Sequence, residues 1–582
     1  MGVFKKLTWF FKERKTDYIV GIIALFVVAV LNIFPSRIVG IVVDEIATGS
    51  LTSNRLWMWL LILLLLGAGM YGLRYIWRVR IWGNASRVQR IIRQRMYDHF
   101  TKMDSEFFQK YRTGDLMAHA TNDLNNIRML AGGGILMAAD ILSVGLTTII
   151  AMIFVVDWRL TLIVILPLLL LILISRFVGS RLHKRNIEAN ESFSDLNNKV
   201  QESIQGIKVI KSFGEEESDT NDFKNMSQNA VNKNESVYQL DSLIRPAVTI
   251  ISGISYVSAI IFGGYLVMTN SITIGEFVTF INYIGMLIWP MMAIGQLFNI
   301  VERAGASYDR IEGIMNEETS IVEQEDAVNK PIDGPIDYNV KSFSYPDTDE
   351  SALENIYFHL EKGQTLGIVG KTGSSKTTLF KLILRDHDIY DGQITYNGID
   401  IRDYTLSALL ENIGYVPQEN FLFSTSIGEN IKFADPDYSE EKMYEAAELA
   451  DVHEDIIGFP EGYDTKIGER GVSLSGGQKQ RVSIARALIK NPELLILDDA
   501  LSAVDGKTEA KILSNLKQMR ENKTTIISAH RISAVMDADE IIVMENGRIS
   551  ERGNHSELIA NNGWYNKMYD QQQLQQDFEG GE

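Results

Sequence analysis

The sequence predicts two fold classes in one chain: an all-α membrane domain of six transmembrane helices, followed by an α/β domain outside the membrane. Three observations lead to this prediction. Six apolar stretches lie within the first 300 of 582 residues. Basic side chains are concentrated on one side of those stretches. After a polar linker, strand-like and helix-like runs alternate around a glycine-rich loop, which is typical of α/β domains.

The average composition hides a division of the chain. The sequence is 46% hydrophobic, contains no cysteine and has a net charge of −18. Residues 1–325 carry 31 basic and 30 acidic side chains, which leaves 25 basic and 44 acidic ones for the rest. The lack of cysteine excludes disulfides and cysteine-ligated metal sites. The acidic balance argues against nucleic acid as a partner.

Six stretches are apolar on all faces, unlike the amphipathic helices of soluble proteins. Most are long enough for a helix to cross roughly 30 Å of hydrocarbon. A cleaved signal peptide is the alternative for the first stretch, and its length and the five stretches that follow argue against it. The stretches are Tyr18–Val43, Trp57–Leu73, Gly134–Val156, Leu160–Ser175, Pro246–Met268 and Phe277–Ile300.

The placement of lysine and arginine predicts the orientation. Five basic residues precede the first stretch, whereas the short connections after the first, third and fifth stretches contain only Arg55 and Arg159. The N-terminus and the C-terminal domain are therefore expected in the cytoplasm. The two long connections, about 78–133 and 176–245, are predicted to be helices that leave the membrane and return. The expected divisions are a membrane domain (1–315), a linker (316–338), an α/β domain (339–575) and a polar tail (576–582).

A glycine-rich loop lies between a predicted buried strand, Gln364–Val369, and an apolar helix from Leu379. It matches the phosphate-loop pattern of glycine, four residues, glycine, lysine and Ser/Thr, except that Ser375 occupies the last glycine position. In such loops backbone N–H groups bind a polyphosphate, the lysine reaches its β/γ-phosphates and the next hydroxyl ligates Mg²⁺. The predicted ATP-binding residues of the loop are Gly370, Lys371, Thr372, Gly373, Ser374, Ser375, Lys376, Thr377 and Thr378.

A second predicted strand, Leu494–Leu497, is followed by two acids, Asp498 and Asp499. Ligands of α/β sheets bind at the carboxyl ends of strands, so Asp498 is expected to hold Mg²⁺ through water. Without the phosphate loop, two solvated acids at a strand end would be the better interpretation.

The segment Leu474-Ser475-Gly476-Gly477-Gln478 lies between these two motifs. Adjacent glycines at a helix start can donate N–H groups to a phosphate. In this order, the pentapeptide resembles the signature of ATP-binding cassette (ABC) proteins. Six spans followed by one cassette resemble an ABC exporter half-transporter over the whole chain. The resemblance implies the type IV ABC exporter fold, ATP and Mg²⁺ as cofactors, and ATP-driven transport.

The resemblance also implies roles for further residues. Tyr345 matches the aromatic that stacks on adenine, Gln418 the glutamine that touches Mg²⁺, and His530 the switch histidine. Asp505 lies in the loop after the acidic strand and, with the signature, is expected to serve a partner's ATP. Thr465–Gly471 resembles a segment specific to exporters.

Two departures from the family pattern lie in the same half-site. Asp499 occupies the position of the usual catalytic glutamate and is one methylene shorter, which reduces its reach to the attacking water. Ser375 replaces a glycine, whereas the signature is intact. This combination resembles one subunit of the heterodimeric bacterial multidrug exporters. It predicts a degenerate site with Asp499 and His530 in the catalytic positions. It also predicts a competent site that uses this chain's Ser475, Gly476, Gly477, Gln478 and Asp505. A slow homodimer is the alternative.

Polar, aromatic and methionine side chains within the spans are candidates for a substrate path. Packing between helices explains any one of them about as well. Asp140 is the acid within a span, and either cation binding or an ion pair with a basic residue would account for it. The candidates are Asp140, Phe280, Asn282, Tyr283, Met286, Trp289, Met292 and Gln296.

Together these features predict ATP-driven export of drugs or other amphipathic molecules across the bacterial cytoplasmic membrane. The expected partners are a second half-transporter, the lipid bilayer and an amphipathic small molecule, with no nucleic acid. A lipid or peptide exporter of the same fold and a regulatory subunit are alternatives. The bends of the two long connections, predicted at Thr113–Thr121 and Gln201–Phe213, are expected to dock on the cassettes.

Overall fold

The computed structural model describes residues 2–346, 348, 350–468 and 474–579, which form two compact units. The first unit contains the chain up to Lys102 together with Tyr111–Glu317. The second contains Met103–Lys110 and the chain from Glu318 onward. The predicted exporter segment is only partly visible, because residues 469–473 lie outside the described part, as do residues 580–582 of the predicted tail.

The regular structure of the first unit is helical throughout its described residues. Six of its helical stretches are long and apolar enough to cross a membrane, which confirms the predicted spans: Lys15–Ala47, Ser53–Phe100, Thr113–Val156, Trp158–Gln205, Glu216–Met268 and Ile274–Met315. Along the chain, and including α6 of the second unit, the α-helices are α1 (Gly2–Lys6), α2 (Thr8–Glu13), α3 (Lys15–Leu31), α4 (Ile33–Ala47), α5 (Ser53–Phe100), α6 (Ser105–Lys110), α7 (Thr113–Ala118), α8 (Leu124–Met129), α9 (Ile135–Asp140), α10 (Leu146–Ala151), α11 (Trp158–Gln205), α12 (Ile207–Phe213), α13 (Glu216–Asp241), α14 (Ile244–Met268) and α15 (Ile274–Met315).

Several spans are much longer than a bilayer requires. At 1.5 Å per residue, the 48 residues of α5 extend about 72 Å, so more than half of this helix lies beyond roughly 30 Å of hydrocarbon. This length agrees with helices that continue beyond the membrane. The third span is built differently. Helices α7 to α10 are joined by π-helical turns, and another such turn follows α10. In a π-helical turn the hydrogen bond spans one residue more than in an α-helix.

The first of the two predicted bends is wrong in position. Thr113–Ala118 forms helix α7, and the turn lies just before it, around α6. Gly114 suggested a break, but the extra conformational entropy that one glycine loses, about 0.5–1 kcal/mol, is too small to prevent a helix here. The second bend is close to its predicted position: Gly206 and Gly214, the latter with φ of 68°, bound the short helix α12.

The second unit contains two sheets within its described residues. One is antiparallel, in the order β2-β1-β4-β5, and the other has the order β10-β9-β3-β8-β7-β6. The strands are β1 (Ile336–Phe343), β2 (Leu353–Leu360), β3 (Thr365–Gly370), β4 (Asp391–Tyr396), β5 (Ile399–Asp400), β6 (Ile413–Val416), β7 (Leu494–Asp498), β8 (Thr524–Ser528), β9 (Glu540–Glu545) and β10 (Arg548–Gly553). The helices are α16 (Lys376–Ile383), α17 (Leu406–Glu411), α18 (Ile427–Ile431), α19 (Glu440–Leu449), α20 (His453–Ile457), α21 (Gly476–Leu488), α22 (Gly506–Met519), α23 (His555–Ala560) and α24 (Trp564–Glu579).

The six-stranded sheet is the part of the fold that organises chemistry. Strands β3, β8, β7 and β6 are neighbours and run parallel, so their carboxyl ends lie along one edge. β7 and β8 are buried along their whole length, as expected for strands covered on both faces. The outer limits of the domain differ slightly from prediction: β1 begins at Ile336 within the predicted linker, and α24 continues to Glu579.

Candidate functional site

The carboxyl edge of the six-stranded sheet brings four predicted sequence motifs together. The phosphate loop follows β3, and His530 follows β8 two residues after that strand ends. Asp498 and Asp499 stand at the end of β7, and Gln418 follows β6. These strands are parallel neighbours, so residues distant in sequence share one rim.

The phosphate loop has the backbone of a nucleotide-binding loop. Gly370, Gly373 and Ser375 have φ of 156°, 81° and 72°. At Gly370 a Cβ would lie 2.3 Å from the Met544 carbonyl oxygen, so only glycine fits there. Ser375 departs from the phosphate-loop pattern at a sensitive position. Its backbone is left-handed, which residues with a Cβ rarely adopt. The sequence showed that a glycine is replaced here, and the structure adds that the backbone of Ser375 is left-handed.

Lys376 begins α16 and is folded back over the loop. Its Nζ donates hydrogen bonds to the carbonyl oxygens of Gly370 (2.9 Å) and Lys371 (3.2 Å). Burial lowers the pKa of Lys376, whereas the nearby charges of Asp499 and Asp498 raise it. The ammonium group is thus held beside the loop that would surround the phosphates.

Thr377 and Asp498 form the candidate metal site. The Thr377 hydroxyl donates to Asp498 Oδ2 at 2.8 Å, and Asp498 is almost fully buried. Burial raises the pKa of Asp498, and the charge of Asp499 raises it further, whereas the hydrogen bond from Thr377 lowers it. Hydroxyl and carboxylate oxygens are the donors that Mg²⁺ prefers, so this pair fits a divalent cation. Gln418 is exposed near the end of β6.

Asp499 lies next to this pair in an unusual backbone conformation. Its φ is 49°, its N–H donates to the Ser528 carbonyl (2.9 Å), and its own carbonyl accepts from the Ser502 hydroxyl (2.9 Å). These backbone hydrogen bonds fix the position of the Asp499 Cα, from which the short side chain extends. His530 is half-buried, and its carbonyl accepts a hydrogen bond from Gln572 Nε2 at 2.8 Å.

The ring of Tyr345 lies at one end of the phosphate loop. Its hydroxyl is 3.1 Å from Thr378 Oγ1, and its ring packs edge-on against Phe343 and His387. Lys381 Nζ lies 5.3 Å from the ring centroid. A base stacked on Tyr345 would therefore share the ring with Lys381 or use its other face.

The signature begins helix α21 with a capping box. Ser475 Oγ accepts from the N–H of Gln478, and Gln478 Oε1 accepts from the N–H of Ser475. Gly476 and Gly477 therefore occupy the first two helical positions, where N–H groups are available to an anion. Asp505 caps α22 by accepting from the N–H of Thr508 at 3.1 Å, and this hydrogen bond lowers the pKa of Asp505.

The sequence did not predict the connection between the signature and the Ser502–Asp505 loop. Buried Gln480 donates to Ser502 Oγ (3.1 Å) and accepts from the Ala503 N–H (2.9 Å). A Cβ on Gly477 would lie 2.9 Å from the Ala503 carbonyl oxygen. The sequence contains a glutamine, Gln480, just after the pentapeptide. Its position alone does not identify its hydrogen-bond partners.

In the membrane unit, three of the candidate substrate residues line one cavity of about 650 Å³: Asp140, Met286 and Trp289. Arg74 lines the same cavity, so Asp140 shares it with a basic and an aromatic side chain. Phe280 and Tyr283 are instead fully buried in the helical core, where the Tyr283 hydroxyl donates to the Ile33 carbonyl. The remaining three, Asn282, Met292 and Gln296, do not line this cavity; Asn282 and Gln296 are exposed and Met292 is half-buried.

Comparison with known proteins decides the family. The family model of the ABC transporter transmembrane region matches residues 18–291, and the ABC transporter model matches residues 353–502. The chain belongs to the ABC transporter family. Over its whole length it is 42% identical to a "Probable multidrug resistance ABC transporter ATP-binding/permease protein YheI" of Bacillus subtilis, 99% of which is covered.

Two further similarities extend this result. The ABC transporter is 32% identical to an "ATP-dependent lipid A-core flippase" of Syntrophus aciditrophicus, with 100% of this chain and 96% of that protein covered. Its fold matches the structure of a bacterial Atm1-family ABC exporter with ATP bound, with a TM-score of 0.80 at 24% identity over 97% and 99% of the two chains. The predicted type IV exporter fold is thereby confirmed. The protein is an ATP-hydrolysing, multi-pass membrane exporter with a cytoplasmic nucleotide-binding domain.

Proposed function

We propose that this ABC exporter moves drugs or other amphipathic small molecules out of the bacterial cytoplasm as one half of a heterodimer. The observation that supports the proposal is that both departures from the family pattern, Ser375 and Asp499, lie in one half-site, while the signature keeps the family residues. On this proposal, the left-handed backbone of Ser375 and the short side chain of Asp499 weaken the half-site of this chain's own phosphate loop. The signature, by contrast, begins its helix with a capping box.

ATP and Mg²⁺ have suitable donors at the sheet edge. The loop N–H groups and Lys376 would hold the phosphates, and Thr377 with Asp498 would hold the metal, which neutralises charge on the phosphates when bound. Asp499 would position the attacking water, but its short side chain retracts the carboxylate from that water. A displacement of about 1 Å can cost on the order of 10²-fold in rate.

In a symmetric pair both sites would carry this defect. In an asymmetric pair a partner could supply a phosphate loop and a glutamate that face this chain's Ser475–Gln478 and Asp505. Closed symmetric pairing is the usual arrangement of oligomers, so a slow homodimer is the competing proposal.

ATP turnover of the purified chain separates the two proposals. The chain alone, reconstituted in lipid, is expected to hydrolyse Mg-ATP slowly, and co-expression with a second half-transporter that carries a glutamate after its acidic strand should raise the rate. Asp499→Asn should leave most of the turnover of that pair intact. Rapid turnover by the chain alone that is abolished by Asp499→Asn would establish the homodimer.

Lipid transport is a second candidate, supported by the similarity to a lipid A-core flippase. Dye efflux and lipid translocation can be measured in the same vesicles. Faster lipid translocation with no dye efflux would replace drug export with lipid export as the function of the pair.

A further inference from the structure

The cavity between α3, α5, α9 and α15 has a size and a lining that suit a ligand. Its volume of about 650 Å³ falls in the range of small-molecule sites, roughly 300–1,000 Å³. Leu25 and Val28 form an apolar part of its wall, and aromatic rings of Tyr75 and Trp289 form another.

The charges on the wall are unequal. Arg74 and Arg78, one turn apart on α5, both line the cavity, and Asp140 is its acidic residue. Among the described residues, neither arginine makes a hydrogen bond or an ion pair within 4 Å. Asp140 lines the same cavity as Arg74, Arg78 and Trp289, so one acid faces two arginines there.

Two other arginines of the same helix provide a contrast. Arg80 and Arg87 both form ion pairs with Asp17, outside the cavity. Arg80 and Arg87 thus share a carboxylate within 4 Å, whereas among the described residues neither of the two arginines that line the cavity has one that close. Ionisable residues of a membrane domain are candidates for a functional role.

The position of the arginine pair matches that of a head group. Arg74 is the residue directly after the apolar segment Trp57–Leu73 and lies about 32 Å along α5 from Ser53 at 1.5 Å per residue. Both guanidinium groups therefore lie near the cytoplasmic end of a span, while the apolar part of the wall extends into the membrane.

We infer that the cavity binds amphipathic molecules whose polar group is an anion, a carboxylate or a phosphate, and that Arg78 and Arg74 bind this group. The inference rests on the proposed export of amphipathic molecules and specifies their charge. Guanidinium groups bind both anions through paired hydrogen bonds. A cation would be repelled by two arginines, so the hypothesis that Asp140 binds a cation is set aside.

Binding of matched fluorescent probes tests the inference. The full chain, alone and with its co-expressed partner, is reconstituted in nanodiscs of zwitterionic phosphatidylcholine. The probes share one apolar body: 11-(dansylamino)undecanoic acid, its methyl ester and the corresponding trimethylammonium compound. The acid should bind at least about tenfold more tightly than the ester, because hydrogen bonds to charged groups are the strong ones.

Substitutions identify the residues. Arg78→Gln combined with Arg74→Gln should remove the preference for the acid and leave binding of the ester unchanged. Asp140→Asn should strengthen binding of the acid a few-fold. Arg90→Gln, on the same helix but outside the cavity, is the control and should have no effect.

Competition distinguishes the two sources of the anion. If phosphatidylglycerol displaces the acid, the bound anion is the head group of a lipid. If phosphatidylglycerol does not displace it, the ligand is a free amphipathic acid. Equal affinity for acid and ester, or tighter binding of the trimethylammonium probe, overturns the inference while export itself stands. Failure of all three probes to bind or to be transported would count against the proposed function as well.

Discussion

Replacing Ser375 with glycine tests whether the backbone of the phosphate loop is strained. Ser375 has φ of 72°. It occupies the position at which the phosphate-loop pattern has glycine. A left-handed conformation costs a residue with a Cβ about 1–2 kcal/mol. Glycine removes that cost but loses about 0.5–1 kcal/mol more conformational entropy on folding.

The expected net gain is about 0.5–1 kcal/mol for Ser375→Gly. For a domain of this size that corresponds to a rise of about 1–4 °C in the melting temperature. The assay is thermal unfolding of the full chain in lipid without nucleotide, following the transition of the nucleotide-binding domain.

Ser375→Ala is the matched control. Alanine removes the hydroxyl but keeps the Cβ and therefore the strain, so its melting temperature should equal that of the native chain. An equal rise for both variants would attribute the effect to the hydroxyl and refute the strain argument, and so would a fall for Ser375→Gly.

Three further predictions concern the same edge of the sheet. Asp499→Glu should raise ATP hydrolysis at this chain's half-site by about 10- to 100-fold in the reconstituted pair. It should also lower the melting temperature slightly, because glutamate tolerates φ of 49° less well than aspartate. An unchanged rate would show that the length of the side chain does not limit hydrolysis. Burial raises the pKa of Asp498, so the folded domain favours the neutral acid and loses stability as the pH rises from about 4. Asp498→Asn should therefore raise the melting temperature measured without nucleotide at pH 7, and this gain should shrink toward pH 4. The substitution should also abolish Mg²⁺-dependent turnover. A gain in melting temperature that stays constant with pH would contradict the argument from the pKa. Gly477→Ala places a Cβ 2.9 Å from the Ala503 carbonyl oxygen and should lower the melting temperature of the domain, whereas Gly476→Ala, whose Cβ would lie 3.6 Å from the nearest atom, should not.

Local patterns in the sequence determined much of the architecture. Each membrane span is a continuous apolar run, and each nucleotide motif is a short contiguous segment, so the interactions that define them are local. The strands predicted at Gln364–Val369 and Leu494–Leu497 end one residue from their observed limits at Gly370 and Asp498.

The tertiary structure decided what depends on contacts between distant segments. Parallel pairing of β3, β8 and β7 brings Lys376, His530 and Asp498 to one edge, and no local pattern specifies that pairing. Gln480 acquires its role only because α21 packs beside the Ser502–Asp505 loop.

The same distinction applies within the membrane. The sequence identified Asp140 as an unusual charge but left its partner open, because helix packing selects which arginine faces which acid. The structure places Asp140 with Trp289, Arg74 and Arg78 on the wall of one cavity. The sequence thus determined that charge is present inside the membrane domain, and the packing of helices decided that one acid and two arginines line the same cavity.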